Sequence, residues 1–432
     1  MTWRNWAGNQ TATPRRLAQP QSIDELIATV RAARDDGLRV KPLGSGHSFT
    51  AIGATDGVHV DLSALDRLVS IDPRTGLVTV EGGIPIHRLN KLLHGYRLAM
   101  PNLGDIDRQT ISGAIATGTH GTGARLGGLA AAVVGFDLVT AGGELVRVDG
   151  DTRPELLAAG RVGLGALGVV ARVTLQCVPA FLLHAAEGRM RLDEVLARVD
   201  ELADSADHFE FYWFPHTPYT LTKRNNRVGP DAVRRPPGQL GALVDDELLS
   251  NGAFELVNRI GVRRPGLVPR INAVSGRALS ARQYVDDSCR VFTSPRRVRF
   301  VEMEYAIPRS AVGDAVRAVR QWIDATGTPV SFPIEVRFAG ADDSAWLSTA
   351  YGRATAYVAV HLYHRVTDRA YFDAVESIMN EHEGRPHWGK LHGLDAATLR
   401  ARYPRFDDFR AIRAELDPDG VFGNAYLDRI LG

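Results

Sequence analysis

The run Pro42-Leu43-Gly44-Ser45-Gly46-His47-Ser48 and the later run Thr117-Gly118-Thr119-His120-Gly121-Thr122-Gly123 carry the densest chemical signal in the chain. Glycine lets backbone N–H groups close in on an anionic ligand, and several such groups can surround a pyrophosphate. A histidine fixed inside such a loop could touch a cofactor or be bonded to it. The same residues also suit ordinary turns between strands. Two such loops, each with one histidine and rich in Gly, Ser and Thr, favour the ligand-binding reading and a nucleotide-cofactor enzyme.

Three further groups could do chemistry. In Ile334-Glu335-Val336-Arg337-Phe338 the alternation puts Glu335 and Arg337 on one face of a strand and three apolar residues on the other. That pattern fits a lined cavity, and it equally fits an exposed ion pair. Over Tyr357–Tyr363 the same alternation sets Tyr357, His361 and Tyr363 opposite Val358, Val360 and Leu362, so His361 faces a cavity or is a satisfied core histidine. Arg385-Pro386-His387-Trp388-Gly389-Lys390-Leu391-His392 gathers cationic and aromatic residues around one glycine. A lysine there could stabilise charge on a reduced redox ring, or the segment merely closes a turn. No HExxH or cysteine partner accompanies these histidines, so no metal set is read.

Gly163-Leu164-Gly165-Ala166-Leu167-Gly168 matches G-x-G-x-x-G, but the β-branched residues after it read as a strand where a dinucleotide site needs a helix. A Rossmann NAD site is thereby disfavoured, and the absence of a G-x-x-x-x-G-K-[ST] loop disfavours an NTPase.

The elements that must position these groups are mixed. The chain has 432 residues and a net charge of +1, which argues against a general nucleic-acid surface. Its two cysteines, Cys177 and Cys289, imply no disulfide framework. No apolar stretch spans a bilayer and no secretory h-region opens the chain, so a cytoplasmic protein is expected, with peripheral membrane association left open. Ser22 and Glu25 cap a helix over 22–37. Strands are expected at Arg39–Leu43, Val58–Leu62, Leu77–Val80 and Val169–Val178, with a helix at Ile86–His94 and a hairpin over Val133–Val148. Beyond Pro179, Asp193–Leu202 reads as a helix, and His208–Phe214, Val298–Ala306, Ile334–Phe338 and Ala356–Tyr363 as strands. The Arg-, Pro- and Gly-rich stretch 223–300 reads as loops and short helices. The fold class is α+β, with strands too short and irregular for a doubly wound sheet.

These motifs, in this order, resemble the FAD-linked oxidases of the vanillyl-alcohol-oxidase type, in the aldonolactone oxidase and alditol oxidase branch. The resemblance runs from Asn5-Trp6-Ala7-Gly8 to Phe422-Gly423-Asn424. It implies an FAD-binding domain over 1–178, an α+β substrate or cap domain over 179–391, and a segment 392–432 returning to the FAD domain. It further implies FAD carried covalently by His47, with Gly44 to Ser48, Ser112, Gly113, Thr117 to Gly121, Gly168 and Val169 around the cofactor. Glu335, Arg337, Lys390 and, across a small shift in strand length, His361 would serve catalysis. The implied reaction is hydride transfer from a carbinol carbon to flavin N5, on a sugar lactone such as L-gulono-1,4-lactone, with oxygen or another acceptor taking the electrons. The alternative substrate is an alditol. In related dehydrogenases an alanine aligned with Gly104 obstructs oxygen, so Gly104 fits an oxidase. Asp105 replaces a substrate-touching serine of alditol oxidases, which favours a lactone.

Overall fold

The computed structural model describes residues 2–229, 231–237, 252–294 and 298–432. Near its start, helix Ile23–Asp35 is capped by Ser22, whose Oγ accepts the Glu25 N–H at 3.2 Å. The Glu25 carboxylate reaches back to the Gln21 N–H at 2.8 Å, completing a reciprocal cap. Leu26, Val30 and Ala33 recur at helical spacing and are fully buried. They pack on a parallel three-stranded sheet, in the order Arg16–Ala18, Val58–Asp61, Val40–Leu43.

Beside it lies an antiparallel five-stranded sheet. Its order is Leu145–Asp149, Val133–Val139, Val169–Gln176, Leu77–Glu81, Leu68–Asp72. The expected hairpin therefore forms, and the strand after the G-x-G-x-x-G run is a strand.

The third sheet has eight antiparallel strands. They run Arg282–Asp287, Leu182–Arg191, Tyr219–Arg227, His208–Trp213, Ile334–Ala339, Thr355–Tyr363, Phe300–Pro308, Arg385–Pro386. Ile334–Ala339 is buried along its whole length, because one face takes the apolar core and the other a polar cavity. Helices Val312–Thr326 and Ala370–Glu381 join Val336, Val358, Val360 and Met303 in that core.

Two expectations change. Residues 223–300 are not only loops and short helices: they include helices Ala253–Arg263 and Val268–Ala278 and the edge strand Arg282–Asp287. That strand is polar because it is an edge, and Arg282 pairs across it with Glu187 at 2.7 Å. Residues 230, 238–251 and 295–297 of that stretch lie outside the described residues. The helix expected at Asp193–Leu202 is two, Leu192–Ala197 and Val199–Asp204. The break falls at Arg198 (φ −121°), and Leu192, Val195, Leu202 and Ala203 are all buried around it.

Two ties hold the sheets in register for a shared site. The Gly123 N–H bonds the Phe338 carbonyl at 2.7 Å and the Phe338 N–H bonds Thr122 Oγ1 at 3.1 Å, fastening the second glycine-rich run to the large sheet. At the other end, the Val40 N–H bonds the Val421 carbonyl at 2.7 Å, and Asn424 Nδ2 donates to the carbonyls of Ala51, Ile52 and Ala54 at 3.0, 3.1 and 2.9 Å. The C-terminal segment thus closes on the first sheet. No helix among the described residues is long and apolar enough to cross a membrane.

Candidate functional site

Two cavities meet at the first glycine-rich run. The larger, about 1090 Å³, lies over the end of strand Val40–Leu43, among Gly44 to Ser48, the start of helix Ile111–Ala116, and the turn Gly163–Gly168. Gly44 is required there: a Cβ would stand 2.5 Å from Thr110 Oγ1. Gly168 has φ +149°, and its Cβ would meet the Val139 carbonyl at 2.6 Å. The backbone amides of Ser45, Gly46, His47 and Ser48 donate to no protein acceptor among the described residues. These four residues line the larger cavity. Buried Lys41 donates to the Gly165 and Phe422 carbonyls at 3.2 and 3.0 Å, and burial, then Arg413, pull its pKa down to about 7, so it is only partly charged at neutral pH.

The smaller cavity, about 730 Å³, lies over the polar face of the large sheet. His47, Ser48, Gln109 and Thr117 line both cavities, so the two adjoin at these residues. His47 stands at the junction, stacked on Trp6 with centroids 5.6 Å apart. Burial, and then the Lys390 charge, pull its pKa down to about 4, leaving a neutral imidazole at pH 7.

The floor of the smaller cavity is set by strand register. Glu210, Arg337 and Tyr357 lie opposite one another on three neighbouring strands, as do Tyr212, Glu335, Ala359 and Glu304 on four; Glu302 lies opposite His361. Glu335 forms a close ion pair with Arg337 and accepts the Tyr212 hydroxyl at 3.0 Å. Arg337 Nε donates to Glu210 at 2.9 Å, and its guanidinium stands 3.7 Å from Asp105. Burial alone would lower the Arg337 pKa, but Glu335, Asp105 and Glu210 outweigh it and hold the guanidinium firmly charged. The ion pair is therefore buried, not the exposed pair that the sequence also allowed.

A second charge group faces it. Lys390 makes a close ion pair with Glu302 and lies 4.0 Å from Glu304. Burial opposes its charge, yet the two carboxylates raise its pKa above the ordinary lysine value. Burial raises Glu302 above the usual carboxylate range despite Lys390. For Glu304, the attraction of His120, with Lys390 and His387, overcomes burial and keeps it well below that range. His361 Nε2 stands 3.7 Å from Glu302, and its ring stacks on Phe332 at 5.8 Å.

His120, Glu304 and His387 bring ligand atoms within 4.8 Å of one another. Their hydrogen bonds fit a proton-sharing cluster better than a metal. His387 Nδ1 accepts the Gly389 N–H at 3.0 Å, so in the neutral ring Nε2 carries hydrogen and offers no lone pair. His120 Nδ1 donates to its neighbour's carbonyl, Gly121 O, at 2.9 Å, which leaves Nε2 facing Glu304 at 3.1 Å with one proton between them. Tyr357 stacks on His120, with centroids 3.5 Å apart.

Of the residues singled out from sequence, Gly44, Ser45, Gly46, His47, Ser48, Ser112, Gly113, Thr117 and Gly168 line the larger cavity. Gly104, Asp105, Thr119, His120, Glu335, Arg337, His361 and Lys390 line the smaller one. Gly118, Gly121 and Val169 line neither: Gly121 packs under Leu103, and Val169 is fully buried in the core. Trp388 and His392 also turn inward, to the Leu347 carbonyl and the Tyr426 hydroxyl. Unforeseen were Trp6, Lys41, Gln109, Glu302 and Glu304. Glu302 and Glu304 had a signal, since two carboxylates alternate with apolar residues in Val301-Glu302-Met303-Glu304-Tyr305.

Buried histidines have a measurable consequence. Burial pulls His387 and His392 down to about 3, whereas a free imidazole titrates near about 6.5. As pH falls below that value the unfolded chain binds protons that the folded chain refuses, so stability drops. The melting temperature is expected to fall steadily from pH 6.5 towards 4.5, and with a shallower slope in His392→Gln. A melting temperature independent of pH over that range would contradict this.

Comparisons with known proteins agree with this geometry. A family model described as D-arabinono-1,4-lactone oxidase matches residues 173–430, and one described as an FAD binding domain matches residues 14–149. The chain is 46% identical over 431 residues to an L-gulono-1,4-lactone dehydrogenase of Mycobacterium tuberculosis, covering 100% of this chain and 99% of that one. It is 34% identical to an L-gulonolactone oxidase of Bos taurus, over 99% of this chain and 98% of that one. Among solved structures, cholesterol oxidase from B. sterolicum superposes with a TM-score of 0.82 at 17% identity, covering 100% of this chain and 96% of that one, a likeness of fold. The chain belongs to the D-arabinono-1,4-lactone oxidase family, and its cofactor is FAD.

Proposed function

We propose that this chain oxidises a carbinol of a sugar 1,4-lactone such as L-gulono-1,4-lactone, with FAD lying across the junction of the two cavities. The observation that carries this reading is that the two cavities adjoin at His47, Ser48, Gln109 and Thr117. The larger cavity fits the cofactor: the amides of Ser45 to Ser48, which have no protein acceptor among the described residues, and the partly charged Lys41 lie along it and suit a pyrophosphate. When bound, FAD supplies the two-electron acceptor for the carbinol C–H. In this reading residues 1–178, with 392–432 folded back on them, hold the cofactor, and 179–391 present the substrate face.

The chain's own residues then do the rest. Glu335 and Arg337 offer acceptor and donor to sugar hydroxyls, fixed against drift by Tyr212, Glu210 and Asp105. Lys390 holds a positive charge where negative charge develops on reduction. His361 faces the same cavity and serves substrate positioning. Asp105 places a carboxylate against Arg337, and we read this as favouring a lactone over an open polyol. Gly104 lines the smaller cavity without a side chain of its own; we read this as favouring oxygen as an electron acceptor. The two free cysteines fit a reducing compartment such as the cytoplasm.

Turnover measured on L-gulono-1,4-lactone and on xylitol tests the substrate class. Preference for the lactone is expected; preference for xylitol would make the chain an alditol oxidase.

We also propose that His47 carries the flavin covalently. A neutral imidazole at the junction of the cavities, steadied by Trp6, has the lone pair such a bond needs. Acid-precipitated protein is expected to stay yellow, and His47→Ala to release its flavin to the supernatant. A white wild-type precipitate under a yellow supernatant would show that FAD is held without a covalent bond.

A further inference from the structure

We infer that Glu302 receives the hydroxyl proton released as the carbinol is oxidised. The inference rests on the reading above that the smaller cavity holds the carbinol. Oxidising an alcohol to a carbonyl removes a hydride and a proton, and the proton needs a base within reach of the carbinol.

The carboxylates lining this cavity are Asp105, Glu302, Glu304 and Glu335. Three are committed elsewhere. Glu335 and Asp105 both lie on Arg337, and a proton on Glu335 would oppose the charge that binds it to that guanidinium and to the Tyr212 hydroxyl. Glu304 is held by His120 at 3.1 Å, and that ring is itself anchored through Nδ1 to the Gly121 carbonyl.

Glu302 differs in what surrounds it. Lys390 meets it from the His387–Lys390 turn, His361 from the neighbouring strand at 3.7 Å, Glu304 from its own strand and Asp105 from the facing loop. The lysine keeps the carboxylate ionised before reaction. Burial and the two like charges ease its neutralisation afterwards, which is why its proton affinity lies above the ordinary carboxylate value. A base that must be ionised at the start and neutral at the end is matched by that balance.

The step balances. The carbinol O–H bond breaks and an O–H bond forms on Glu302; the C–H bond breaks and its electron pair leaves with the hydrogen to FAD. The carbinol becomes a carbonyl, oxidised by two electrons, and FAD is reduced by two.

The test uses Glu302→Gln holoenzyme, mixed anaerobically with L-gulono-1,4-lactone beside the wild type. Flavin content and the dissociation constant of a lactone lacking the oxidisable hydroxyl, read from the flavin spectrum, are expected to be unchanged. The limiting rate of flavin bleaching is expected to fall at least about 100-fold. In the wild type that rate rises with pH through one ionisation; the rise is absent in Glu302→Gln and retained in Glu302→Asp. In infrared difference spectra, substrate reduction of the wild type is expected to add a protonated-carboxyl band that dithionite-reduced Glu302→Gln lacks. Bleaching at the wild-type rate in Glu302→Gln, a retained pH rise, a missing infrared band in the wild type, or loss of analogue binding would each overturn the assignment. A wild type bleached by no lactone or polyol would instead remove the substrate reading, and this inference with it.

Discussion

Exchanging Arg337 for methionine is expected to slow anaerobic flavin reduction by about 10³-fold, the upper end for loss of one preorganised donor in a closed site. It is also expected to lower stability. The guanidinium is the counter-charge for Glu335, Glu210 and Asp105, two of them deeply buried, and removing it leaves carboxylates that water cannot reach. Breaking a buried pair from one side costs about 3–5 kcal/mol. Arg337→Lys is expected to recover little, because one ammonium cannot reproduce the fork that spans Glu335 and Glu210. Stopped-flow reduction and calorimetric melting separate the two effects. A variant that melts normally and reduces normally would show that the guanidinium neither binds substrate nor balances the floor of the cavity.

Lys390→Met is expected to give the second large effect, a fall of about 10²-fold in the reduction rate. Here the loss is of a cation facing the reacting groups, not of a bidentate donor. Glu302 and Glu304 would lose their shared partner, and Glu302, already raised by burial, would shift further towards its neutral form. The pH at which reduction reaches half its limiting rate should therefore move upward in the variant. An unchanged rate and an unchanged pH profile would mean that Lys390 serves only the turn it closes, where its N–H bonds the His387 carbonyl at 2.9 Å.

The parts of this site that could be read in sequence are those whose signal is local. Glu335, Arg337 and His361 announce themselves because alternation within one strand assigns each a face, and the strands form where the pattern sets them. Gly44 to Ser48 are legible because glycine and serine at that density mark a tight loop at the end of strand Val40–Leu43. Glu302, Glu304 and Glu210 are less so. Glu210 sits in a strand buried throughout, Glu302 and Glu304 in one buried at all but its last residue, and their meaning comes from register with strands distant in sequence. The edge strand Arg282–Asp287 escaped for the opposite reason: edge positions are charged, so the apolar alternation that marks a strand is missing. The resemblance places Val169 beside the cofactor with Gly168, but strand Val169–Gln176 begins at Val169, and its alternation turns Val169 into the core and Val170 to the larger cavity.

The metal-like grouping of His120, Glu304 and His387 makes the same point. Three ligand-type side chains converge there, yet the bond from Gly389 to His387 Nδ1 decides what the third can do. In this cavity the supporting backbone determines which atoms are available for chemistry.

The coupling of a two-electron acceptor to a carbinol site is tested most directly by mixing the oxidised holoenzyme with L-gulono-1,4-lactone in the absence of oxygen and following the visible flavin band. Complete bleaching at a rate that saturates with lactone concentration is expected, with colour returning when an acceptor is admitted. A band that dithionite bleaches but no lactone or polyol touches would contradict it.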